Sequence, residues 1–151
     1  AAQQHLSTQI KHREITKGYL VLVHGHLSPQ RGMIEGPIGR HPKDRKKMAI
    51  VSTGREARTF YQVKAYCGEG TFIEVRPETG RTHQIRVHLA SIGHPLVGDA
   101  LYGKRSELLA RQFLHAHRLG FRLPSTNEYV EFTSDLPPDL RQALEAMRET
   151  T

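Results

Sequence analysis

With 151 residues, 37% of them hydrophobic and 25% charged, the chain has the size of one ordinary domain and enough apolar residues for a modest core. No stretch approaches the roughly 20 apolar residues of a membrane helix. The opening AAQQHLSTQIKHRE lacks the basic-then-apolar order of a signal peptide, and the single cysteine, Cys67, can form neither an internal disulfide nor a cysteine-rich zinc site.

Lys and Arg number 22 against 15 Asp and Glu, a formal charge of +7, which favours a polyanionic partner through counterion release. Size and composition predict a single domain over 1–151 with no membrane association, the lone cysteine a cytoplasmic setting, and a monomer is expected. The first residue is not Met, so the start reads as a processed or trimmed end.

Taken in chain order, residues 3–13 carry Leu6 and Ile10 at a four-residue spacing and predict a short amphipathic helix. Tyr19–Val23 is a compact β-branched and aromatic run, hence a buried strand. Gly25 to Pro42 is so rich in Gly and Pro that it predicts loops around one short hairpin arm. Met48–Ser52 and Arg58–Tyr66 then read as a strand pair turning at Gly54, and Thr71–Arg76 as the next strand.

Pro77–Gly80 breaks that strand. A helix follows over Thr82–Ser91, with Ile85, Leu89 and Ile92 on one face and Gly93 as its C-cap. Glu107–Gln112 predicts a short helix, and His115–Leu123 with Glu128–Thr133 a strand pair. Asp139–Arg148 reads as a last helix that Asp139 can cap. The sum is an α+β domain of mainly antiparallel strands.

The chemistry concentrates in residues 72–103, FIEVRPETGRTHQIRVHLASIGHPLVGDALYG. Arg76 and Arg81 flank the helix start, with its unpaired backbone N–H groups, and Arg86 lies one turn in, a pattern suited to phosphate or carboxylate. An Arg on an amphipathic helix is also commonly a snorkelling surface residue. Likewise Tyr19, in its strand, reads on the bare sequence first as a core aromatic. Arg40-His-Pro-Lys-Asp-Arg-Lys-Lys47 places five basic residues in eight on a loop, which reads either as an arm on an RNA backbone or as a solvated charge run.

The string GRTHQIRVHLASIGHPLVGD, followed by LYG, resembles the motif of the RluA/RluD-type RNA pseudouridine synthases almost residue for residue. Thr16-Lys17-Gly18-Tyr19 resembles that family's K-x-Y strand, and Gly36-Pro-Ile-Gly-Arg-His41 with Arg45-Lys-Lys-Met48 its basic hairpin. Ala57–Val63 and Phe113–Leu119 match two further strands. The resemblance implies a pseudouridine-synthase-like catalytic domain, a mixed and mainly antiparallel sheet with flanking helices. It also implies a reaction that converts uridine in RNA to its C-glycoside isomer without metal or organic cofactor.

Carried onto this chain, the resemblance makes Arg86 the partner of a catalytic aspartate and Tyr19 the residue packed on the flipped base, implicated in proton removal at C5. It assigns RNA contacts to Arg40, His41, Lys43, Arg45, Lys46 and Lys47 in the hairpin, and to Arg76, Arg81, Thr82 and His83 around the helix start. The family's aspartate stands in an H-R-L-D string upstream of the first helix, and none of Asp44, Asp99, Asp135 and Asp139 has that context. Asp99 reads as structural. The chain thus reads as a domain truncated on its N-terminal side and inactive alone.

Large-subunit ribosomal RNA is the expected substrate, with transfer RNA as the alternative. Two rival classes stay open: a non-catalytic RNA-binding module, as a pseudoenzyme or split subunit, and a basic domain that binds nucleic acid without selection. No metal is expected, because His83 and His88 are five apart and His115 with His117 lacks a third ligand.

Overall fold

The structure, a computed structural model, describes residues 15–150. The helix expected over 3–13 lies outside them. Six strands form one antiparallel sheet: β1 (Thr16–His24), β2 (Arg31–Glu35), β5 (Arg58–Cys67), β6 (Gly70–Pro77), β7 (Leu114–Arg122) and β8 (Tyr129–Thr133), in the order β2-β5-β6-β1-β7-β8. Strands β3 (Ile38–Arg40) and β4 (Met48–Ile50) pair separately. Among the described residues two helices complete the fold, α1 (Gln84–Ser91) and α2 (Pro138–Arg148).

Strand alternation assigns the two faces. Val21, Val23, Ile73, Val75 and Tyr61 point to one side, where Ile85 and Leu89 of α1 close the core. Leu22, Phe72 and Cys67 point to the other, against Leu140, Ala143, Leu144 and Met147 of α2. Those four recur at i, i+3, i+4 and i+7, which gives α2 one apolar stripe. A smaller cluster of Ile38, Ala57 and Val87, with Met48 and Tyr102 against it, seats the β3–β4 hairpin on α1.

Three expectations need correction. Met48–Ser52 and Arg58–Tyr66 are not partners: β4 pairs with β3, whereas β5 pairs with β2 and β6. Ile34 opposes Thr59 directly, so the residues between β2 and β5 leave the sheet as an arm. The Gly/Pro-rich stretch therefore hides an edge strand, β2, whose alternation is masked by Gly32. Second, Glu107–Gln112 forms no helix. Leu109 is buried with Phe113 in the core beneath α2, which fixes an irregular path.

Third, the N-cap of α2 is Pro137, followed by Pro138, whose missing N–H is harmless in the first turn. Asp139 sits inside the first turn, where its carboxylate accepts the Leu140 N–H (2.9 Å) and pairs with Arg111 through two hydrogen bonds of 2.8 and 3.1 Å. The end of α1 follows the sequence. Gly93 has φ +86°, its N–H reaches the Ala90 carbonyl, and that of His94 reaches Leu89 (both 3.0 Å), a Schellman ending.

Candidate active site

Where β1 and β6 pass the start of α1, a cleft of about 430 Å³ opens. Lys17, Tyr19, Arg81, His83, Arg86 and Gln112 line it. A β-bulge between Gly18 and Tyr19, opposite His117, locally re-aims β1 at this point. The Tyr19 ring rests half-buried against the core cluster under α1, which leaves one surface to the cleft. Burial raises the Tyr19 pKa above the ordinary tyrosine value, so the hydroxyl holds its proton at neutral pH. That favours a packing role for the ring over a preformed phenolate.

Arg86 projects from α1 onto the turn that follows the helix. Its Nε donates to Asp99 Oδ2 at 2.8 Å and its Nη2 to Oδ1 at 2.9 Å, a fork-on-fork pair. The Asp99 side chain is fully buried and that of Arg86 nearly so, at 14% exposed. Asp99 also accepts the backbone N–H groups of Leu101 and Tyr102. Burial alone would raise the Asp99 pKa, but the Arg86 hydrogen bonds, with those of Tyr102 and Leu101, hold it below the usual carboxylate value.

Asp99 is thus the organiser of its turn, as its place in the motif suggested. It is also the counter-ion of Arg86, which the sequence did not show. The guanidinium lies 5.0 Å from the centroid of the Tyr102 ring, a cation–π contact. Nη1 of Arg86 makes no hydrogen bond among the described residues and stays available to a ligand.

Gln84 locks the helix entrance, a role that sequence reasoning missed. Its amide nitrogen donates to the Arg58 carbonyl (2.8 Å) and to Thr59 Oγ1 (2.9 Å), and its oxygen accepts from Thr79 Oγ1 (2.6 Å) and the Arg81 N–H (3.1 Å). All four positions of the amide are filled, so the turn before α1 is rigid. Nothing in the helical periodicity marks this glutamine as buried. Its position directly after Thr-His in the motif was the available signal.

Of the other expected contacts, Arg81 lines the cleft and donates Nε to the Glu56 carbonyl. Thr82 is exposed at the turn and does not line the cleft. Arg76 does not join this group: it opposes Phe60 on the far face of the sheet, in a second groove with Arg31, Met33 and Gln62. The physical reason is pleating, which sends Arg76 away from the side that its neighbour Val75 takes.

The basic segment is an ordered hairpin loop. His41 Nδ1 accepts the N–H groups of Lys43 and Asp44, Arg40 donates to the Arg45 carbonyl and Arg45 to that of His41. Lys43 and Lys46 are exposed, and Lys47 is half-buried. Among the described residues no group of His, Cys, Asp and Glu is placed to hold a metal ion.

The fold and site define an α+β domain with a rigid, cationic, tyrosine-sided cleft of nucleotide dimensions and a basic arm beside it. The chain belongs to the RNA pseudouridylate synthase family, whose sequence model matches residues 1–91. It is 47% identical over 150 residues to an uncharacterized RNA pseudouridine synthase of Chloroflexus aurantiacus, a match covering 98% of this chain and 47% of that protein.

To ribosomal large subunit pseudouridine synthase D of Nitrosomonas europaea it is 43% identical, over 97% of this chain and 45% of that one. The chain therefore spans about half the length of the curated relatives it matches. The solved structure of human RNA pseudouridylate synthase domain containing 1 superposes with a TM-score of 0.75 at 32% identity, over 97% of this chain and 71% of that one.

Proposed function

We propose that this chain is the C-terminal part of a catalytic domain that isomerises uridine to pseudouridine in RNA. The observation that carries the reading is the placing of Tyr19 and Arg86 in one cleft, with Nη1 of Arg86 unengaged. A uridine flipped from its stack, at a cost of a few kcal/mol, would pack on the Tyr19 ring. Nη1 of Arg86 would hold the reacting aspartate ionised and oriented. Lys17, Arg81 and the arm would take the phosphates.

None of the four aspartates lines the cleft, and Asp99 is engaged by Arg86. By the family resemblance we assign the nucleophile of the reaction to an H-R-L-D segment outside this sequence, and the chain alone is expected not to turn over. Large-subunit ribosomal RNA is the proposed substrate, in keeping with the name of the Nitrosomonas relative, and the proposed setting is the cytoplasm, as a monomer. Among the described residues no helix is long and apolar enough to cross a membrane.

The test is tritium release from 5-tritiated uridine in ribosomal RNA and in transfer RNA. This chain is assayed beside a version that carries an H-R-L-D-bearing segment upstream. Release by the longer version alone supports the proposal, and the RNA that yields it identifies the substrate. Release by the short chain overturns the assignment of the nucleophile. Tight RNA binding with no release by either version favours a non-catalytic binding module.

A further inference from the structure

One hydroxyl joins the arm, the entrance of α1 and Arg86. The Tyr102 oxygen accepts the backbone N–H of Met48, on β4, at 2.8 Å, and lies 2.7 Å from Nδ1 of His83. A phenol has one proton to give, and among the described residues His83 Nδ1 is its only acceptor partner. Pointing that proton at Nδ1 gives every group of this cluster a partner, and it leaves the ring proton of His83 on Nε2. Burial, and then the charge of Arg86, also lower the pKa of His83 below the ordinary histidine value, so the neutral ring is the populated form.

The geometry around this histidine is tightly specified. His83 has φ +56°, a left-handed conformation that few residues other than glycine adopt, so its neighbours determine its placement. Its ring meets that of Tyr102 edge-on, with centroids 5.5 Å apart and planes at 82°. His83 lines the cleft, and its Nε2 makes no hydrogen bond among the described residues. The result is a neutral, single N–H donor set among cations.

We propose that Tyr102 is a positioning residue that holds His83 as the Nε2–H tautomer, and that this N–H donates to an oxygen acceptor of the RNA in the cleft. The contact with RNA rests on the function proposed above, whereas the tautomer does not. The ring of Tyr102 meanwhile backs the guanidinium of Arg86. A single residue thus orients both a neutral and a charged donor of the site.

Two measurements test this. Long-range proton–nitrogen correlation spectra of the RNA-free chain at neutral pH should show His83 protonated on Nε2, and a mixture of tautomers in Tyr102→Phe. An Nδ1–H tautomer in the native chain overturns the assignment of Tyr102 while leaving the RNA reading intact. Binding is then measured with a uridine-containing single-stranded RNA, with UMP and with uridine.

His83→Asn, whose amide reaches only the Nδ1 position, should weaken RNA binding about tenfold, while His83→Gln, whose amide reaches the Nε2 position, restores most of it. Equal losses in the two variants overturn the donor role. A loss seen with UMP but not with uridine supports the proposal with a phosphate acceptor. A loss seen with both supports it with the acceptor on the base or sugar. If the native chain binds no uridine-containing RNA, the proposed contact fails together with the RNA reading, although the tautomer can still be found as stated.

Discussion

The guanidinium of Arg86 grips the carboxylate of Asp99 through two hydrogen bonds of 2.8 and 2.9 Å, across thirteen residues of chain. This pair closes α1 onto the turn that follows it. It leaves Nη1 without a hydrogen bond among the described residues.

Removing one partner of so buried a pair leaves a stranded charge. Asp99→Ala should therefore destabilise the chain by about 3–5 kcal/mol, read from the urea midpoint. Asp99→Asn keeps an acceptor for the Leu101 and Tyr102 N–H groups and should cost less. Because the Asp99 pKa is lowered in the folded state, its contribution is complete above the unfolded value near 3.8 and is lost as pH falls through the lower folded value. A flat stability profile below pH 4 in the native chain would count against this pairing.

A buried polar chain runs from Gln84 through Thr59 to His88 and Gly36. The Thr59 hydroxyl donates to His88 Nδ1 at 2.7 Å, and His88 Nε2 donates to the Gly36 carbonyl at 3.0 Å. Burial lowers the His88 pKa below 6.5, against the opposing pull of the Gly36 carbonyl. The unfolded chain then takes up a proton that the folded chain refuses. Stability from this group is present above pH 6.5 and declines as pH falls below it, towards the lower folded value. Urea midpoints at pH 7.5 and pH 5 should show the decline, and His88→Gln should reduce it while costing about 1–3 kcal/mol at pH 7.5.

Gly98, in the turn that delivers Asp99, has φ +82°, and a Cβ there would overlap the carbonyl oxygen of Arg111. Gly98→Ala should cost about 3 kcal/mol from combined strain and overlap. Gly80, where a Cβ would meet nothing within 4 Å, should tolerate alanine. Thermal unfolding of the two variants checks the contrast.

If the arm grips phosphates, Lys43→Ala and Lys46→Ala should each flatten the dependence of log binding constant on log salt by about 0.7 for a single-stranded RNA. Tyr19→Phe should bind nearly as the native chain does. Tyr19→Ala should lose about tenfold or more, the worth of one stacked base. Titrations at several salt concentrations distinguish a phosphate-gripping arm from a merely solvated charge run, which would leave the slope unchanged.

By itself the sequence determined the parts that depend on local pattern. Alternating and β-branched runs specify β1, β5, β6, β7 and β8, and the Leu140-to-Met147 stripe specifies α2. Gly93 ends α1 because only a residue at ease with positive φ fits there. The GRTHQIR and VGD-LYG strings made the family recognisable and singled out Arg86, and the Thr16-Lys-Gly-Tyr19 strand singled out Tyr19, as residues expected at the site.

Tertiary structure decided what lies between distant residues. Residues 31–35 become a strand only because β5 offers them a partner, and the excursion between the two becomes an arm only because that pairing is direct. Arg76 reads as a neighbour of Arg81, yet the pleat places the sheet between Arg76 and the cleft. Asp99 finds Arg86, and Tyr102 finds His83 and Met48, because the turn after α1 folds back over the helix start. Hydrogen bonds of this kind depend on angles and burial supplied by the whole domain, which no local pattern of residues encodes.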